Sequence, residues 1–110
     1  MSKKQSFGEK LENLKKEVLT AIETKCQTHK DENDALSLVD SKGDGAYIGI
    51  PDYDEYTDTP YIGTHEVTSL QMYDTMIVMV DECEEEFELT DLNIEGLIGL
   101  YEHMETIYKD

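Results

Sequence analysis

A chain of 110 residues carries 26 acidic side chains against nine basic ones, all of them lysine, for a formal charge of −17. That balance speaks against direct binding to nucleic acid or to anionic lipid, because such binders gain most of their affinity by neutralising phosphates with Lys and Arg. The length fits one domain, residues 1–110, burying about two-thirds of its unfolded surface, and 38% hydrophobic against 32% charged residues implies a thin core.

Residues 1–5 are polar and basic with no apolar run behind them, so they read as a disordered N-terminus rather than a signal peptide. Phe7, Leu11, Leu14, Val18, Ile22 and Cys26 then recur at spacings of three and four, which predicts an amphipathic helix ending near His29. Ser6 followed by Glu9 supplies its capping box. Residues 35–39 and 46–50 are short β-type runs, expected to pair as a hairpin through Asp40 to Gly45, whose glycines supply positive φ. Residues 51–60 are polar and acidic and read as an exposed loop.

Residues 61–67 predict a third strand, and Leu70 and Met72 alternate with polar residues up to a turn at Asp74 and Thr75. The continuous apolar run 76–80 suits a strand central in a sheet. An acidic turn spans 81–85, after which Phe87 and Leu89 alternate with glutamates as in a strand with one wet face. Asn93 caps a last helix, with Leu92 and Leu97 placed as a hydrophobic staple. The expected fold is α+β: an N-terminal helix, an antiparallel sheet of four to five short strands built as a hairpin plus a meander, and a C-terminal helix packed on the sheet.

The motifs that carry chemistry are incomplete. Asp40, Asp44 and Gly45 match positions of an EF-hand loop, but Lys42 stands at one ligand position and Pro51 where the bidentate glutamate belongs. Asp52, Asp54 and Asp58 are weak candidate ligands for a hard cation, set against the plainer reading of a solvated acidic loop. Cys26 and His29 lie one helical turn apart, but zinc needs four ligands, and His65, Cys83 and His103 have no paired spacing. No G-x-S-x-G, Walker loop or H-E-x-x-H occurs, and a His near some carboxylate is inevitable in so acidic a chain. No metal, no cofactor and no enzymatic activity are expected. No stretch is apolar enough to span a membrane. The expected setting is cytoplasmic, where both cysteines remain thiols.

The charge is unevenly placed. Residues 1–30 balance at +3 and residues 31–110 at −20, with no Lys or Arg from 43 to 108. Such asymmetry speaks about partners, and it predicts a protein partner with a basic surface. Tyr53, Asp54, Glu55, Tyr56 and Asp58 are the candidate partner-binding residues, because tyrosine offers rigid amphipathic contact and carboxylates steer a basic partner. Glu84, Glu86 and Glu88 join them, at the strand period of about 6.6 Å that phosphate mimicry requires. The expected function is a small, acidic, non-enzymatic accessory or assembly protein, its sheet edge or apolar helix face docking on another protein or on itself. A DNA-mimic inhibitor and a weak divalent-cation-binding domain are the alternatives.

Overall fold

The computed structural model describes residues 6–109; residues 1–5, expected to be disordered, lie outside them. In chain order the elements are α1 (Phe7–His29), β1 (Ala35–Ser37), β2 (Ala46–Asp54), β3 (Thr59–Met72), β4 (Ile77–Asp81), β5 (Glu86–Glu88), a single 3₁₀ turn (Leu89–Asp91) and α2 (Ile94–Ile107). Both helices start where their caps predict. Ser6 Oγ accepts from Glu9 N–H at 3.1 Å, and Asn93 Oδ1 from Gly96 N–H at 2.9 Å. No helix among the described residues is long and apolar enough to cross a membrane.

The five strands form one open antiparallel sheet, as the α+β expectation has it, and the expected meander is there, with β3, β4 and β5 each paired antiparallel with the next. The hairpin, however, is made by other strands than expected. The 14 residues of β3 are the spine of the sheet. Along one edge of β3 lie β2, against residues 59–67, and β1, against residues 69–71; β4 takes the other edge, and β5 follows β4. The expected hairpin between the runs 35–39 and 46–50 does not form. Both runs lie end to end on β3, with Leu36 opposite Leu70 and Ala46 opposite Val67. The turn between them reverses the chain locally, whereas the strand partner is chosen by the longer edge that β3 presents.

The loop expected at 51–60 is also corrected. Pro51 pairs with Ile62, Asp52 with Tyr61, Tyr53 with Pro60 and Asp54 with Thr59, so only residues 55–58 remain as a turn. Both prolines fall where the ribbon is two-stranded and each strand keeps a free edge, the place a sheet tolerates a missing N–H.

One turn design occurs three times, at residues 31–35, 40–44 and 81–85. In each, an aspartate Oδ1 (Asp31, Asp40, Asp81) accepts the N–H groups two and four residues on, at 2.8–3.0 Å. The fourth residue of each sits at positive φ: Asp34 at 57°, Gly43 at 87° and Glu84 at 64°. Only Gly43 does so without steric cost. Glu84→Gly is therefore expected to stabilise the fold by about 0.5–1 kcal/mol, read as a higher denaturant midpoint. Glu84→Ala, which keeps the Cβ, should bring less.

Alternate strand residues (Ala46, Ile48, Ile50, Val67, Leu70, Met72, Met79) meet Ile22 and Cys26 of α1 and Leu97, Leu100 and Met104 of α2 in a single buried cluster. Both helices thus cover one face. The opposite face, with Tyr47, Glu66, Gln71, Glu86 and Glu88, bears no helix. Polar contacts pin the far end of α2. Lys25 Nζ donates to the Tyr108 carbonyl at 2.7 Å, His103 Nε2 to the Leu38 carbonyl at 2.6 Å, and Tyr108 OH to the Ser37 carbonyl at 2.7 Å.

Candidate functional site

The β2–β3 ribbon outruns the sheet. β4 ends at Asp81, opposite Val67, and among the described residues no third strand pairs residues 51–62. The core stops at Ile50, so beyond it the ribbon is an arm wet on both faces. Its large side chains stand out accordingly. Tyr56 at the tip is 99% exposed, Ile62 56%, Tyr53 51% and Tyr61 48%. Between them lie Asp52, Asp54, Glu55 and Asp58, with no basic residue anywhere on the arm.

Hydrogen bonds stiffen the arm. Tyr61 OH donates to Asp52 Oδ2 across the ribbon at 3.0 Å, and Asp54 Oδ1 accepts the N–H groups of Tyr56 and Thr57 at 2.9 and 3.4 Å. The Asp52 hydrogen bond, then partial burial, then the charges of Asp52, Asp54 and Glu85 push the Tyr61 hydroxyl pKa above its usual range. Asp58 closes the turn at φ 55°. Asp52, Asp54 and Asp58 are thus engaged in building the ribbon. Among the described residues no three His, Cys, Asp or Glu side chains are grouped to hold a metal ion.

The second predicted group splits. Turn 81–85 lies against the base of the arm. His65 Nδ1 donates to the buried carboxylate of Asp81 at 2.9 Å, Glu66 N–H donates to Glu82 Oε2 at 2.9 Å, and Glu82 N–H to the Glu66 carbonyl at 3.0 Å. Glu84 thus sits in a turn bonded to the base of the arm. Glu86 and Glu88 do not: they lie on β5, opposite Val80 and Val78, on the helix-free face. Glu88 also borders a groove of about 320 Å³ between α1 and the β3–β4 turn, floored by Leu19, Met72, Met76 and Ile77.

Sequence reasoning missed Ile62 and the His65–Asp81 pair. Ile62 had a signal, as a β-branched residue in the predicted strand 61–67. The pair had none, since sixteen residues of chain separate its members. It is structural in form, with the His65 ring resting on Phe87 at a centroid distance of 4.9 Å.

Cys83, exposed in turn 81–85, has its thiol pKa raised above 9.0 by the charge of Glu82 first, then by partial burial, Asp81 and Glu85. Burial, aided by Glu23, pushes Cys26 up to about 12. A thiol reagent at mildly alkaline pH is therefore expected to label Cys83 alone in the native protein, more slowly than a free thiol. Cys26 should react only after unfolding, as the mass of labelled peptides would report.

No known protein family, curated protein or solved structure matches this chain at a significant level.

Proposed function

We propose that this is a small, acidic, non-enzymatic interaction protein that grips a basic surface of another protein with the 51–62 arm and the adjoining turn 81–85. The observation that carries the reading is the arm itself, which exposes Tyr53, Tyr56, Tyr61 and Ile62 beyond any core. Tyr53 and Ile62, diagonal neighbours in the β2–β3 register, share one face of the ribbon, while Tyr61 lies with Asp52 on the other. Exposed apolar side chains grouped on a face and rimmed by charge distinguish a docking site from scattered surface residues. Tyrosines lose little side-chain entropy on contact, and the carboxylates around them accelerate encounter with a cationic partner.

The test is capture from host lysate on the immobilised protein, eluted by a salt gradient and run beside a Tyr53→Ser/Tyr56→Ser/Ile62→Ser variant. These positions are exposed, so the variant should keep its stability to within about 0.5 kcal/mol per change. A basic protein should be retained by the wild type, released as salt screens the attraction, and held at least about tenfold less by the variant. Equal retention by both proteins would remove the arm as the site.

Mimicry of nucleic acid has one observation in its favour: Glu86 and Glu88 are exposed on the same face of β5, one strand period apart. Under that reading, Glu86→Gln/Glu88→Gln abolishes capture of a nucleic-acid-binding protein while the arm variant retains it.

A further inference from the structure

The stripe predicted for α1 is only half used. From Val18 onward it enters the core, but every residue from 6 to 14 is exposed, with Phe7 at 77%, Leu11 at 40% and Leu14 at 41%. The last anchor toward the N-terminus is Lys15 Nζ, which donates to the Thr90 carbonyl at 3.3 Å. Beyond it, more than two turns of amphipathic helix carry only exposed side chains, their apolar residues included.

We propose that this exposed stretch is the interface of a two-fold homodimer, in which residues 7–14 of two copies pack antiparallel with Phe7 of each facing Leu14 of the other. Charge argues for a second copy as the occupant. The residues after 30 sum to −20, so contact through any other face brings carboxylates against carboxylates. Residues 7–17 instead hold three lysines (Lys10, Lys15, Lys16) and three glutamates (Glu9, Glu12, Glu17), a balance of zero. The contact itself, residues 7–14, balances at −1, so two copies meet there with little repulsion. Antiparallel packing also sends the two acidic bodies to opposite ends. A self-complementary patch closing on itself is the commonest form of oligomer. The contact is small beside the 1,200 Å² or so of a standard interface, so the dimer is a weak one, with a dissociation constant in the micromolar range or above, about 10–1,000 µM.

The inference is independent of the arm and has the opposite salt dependence. Binding of a basic partner weakens in salt, whereas screening of the two bodies strengthens an apolar dimer. The test is sedimentation equilibrium of the full chain over a wide concentration range at low and high salt, beside Leu11→Ser/Leu14→Ser, with circular dichroism confirming that the variant folds. The wild type should approach twice the monomer mass, with a dissociation constant at least about threefold lower in high salt, while the variant stays monomeric. A wild type that is monomeric at the highest concentration overturns the proposal. So does a variant that dimerises equally well, or a wild-type mass that climbs past the dimer. As a second readout, Leu14→Cys with Phe7→Cys in a Cys83→Ser background should oxidise to a cross-linked dimer; recovery of monomer alone counts against antiparallel pairing.

Discussion

Replacing Asp81 with alanine is expected to cost about 3 kcal/mol of folding stability, the largest loss of any single polar change in this fold. The side chain is 3% exposed. One oxygen accepts the N–H groups of Cys83 and Glu85 at 2.9 and 2.8 Å, and the other accepts from His65 at 2.9 Å. Removal leaves two N–H groups of the turn unsatisfied, frees the His65 ring and loosens the join between β4 and the base of the arm. Asp81→Asn keeps an acceptor for the turn and should lose about half as much.

The effect carries a pH signature. Burial alone would raise the Asp81 pKa, but the Glu85 N–H, the His65 ring and the Cys83 N–H outweigh it and hold the pKa below the ordinary 3.8. A folded-state pKa below the unfolded one adds stability at all pH values above the unfolded pKa. That stability is lost as pH falls through the folded one. Denaturant unfolding should therefore show the gap between wild type and Asp81→Ala constant near neutrality and closing below pH 3.8. A gap unchanged in acid would mean that the carboxylate's charge contributes nothing.

Gly45→Ala is expected to destabilise by about 2 kcal/mol. A Cβ at this position would stand 2.5 Å from the Val67 carbonyl oxygen and 3.0 Å from Glu66 Cγ, and the nearer contact is backbone that cannot rotate away. Gly45 N–H also donates to Glu66 Oε2 at 2.8 Å, immediately before Ala46 begins the β2–β3 pairing. Relief requires displacing the start of β2. Gly43, two residues earlier, has open space around its Cβ position and a φ of 87°, so Gly43→Ala costs only the left-handed penalty of about 1 kcal/mol. Unfolding midpoints of the two variants separate the effects. If Gly45→Ala is as mild as Gly43→Ala, close approach to Val67 is not what the glycine is for. The sequence treats the pair alike, as turn glycines, and only Gly43 has that role.

The two helices were legible because their determinants are local. A stripe at spacings of three and four, Ser6 before Glu9 and Asn93 before Gly96 lie within a few residues of what they specify. The continuous run 76–80 likewise marked β4 as central, and β4 does lie between β3 and β5. The acidic, arginine-free composition was legible for the same reason: it needs only counting.

The meander β3–β4–β5 was legible too, through its two polar turns, but the partners of β1 and β2 were not. The turn at 40–44 reverses the chain as its aspartate and glycine dictate, but whether β1 and β2 then meet each other or both meet β3 depends on an edge supplied by residues 59–72, far along the chain. The arm was hidden for a related reason. A polar, proline-bearing stretch has the same composition whether it is a loop or a two-stranded ribbon with both faces wet, and only pairing tells them apart. The grouping of acids followed from that pairing. The turn that holds Glu84 is tied to the base of the arm by the Glu66–Glu82 bonds, and Glu86 and Glu88 turn onto the helix-free face. Charge and periodicity belong to single residues and short windows, so the sequence determined them alone; faces, edges and approaches belong to pairs of distant segments, and only the tertiary structure could decide them.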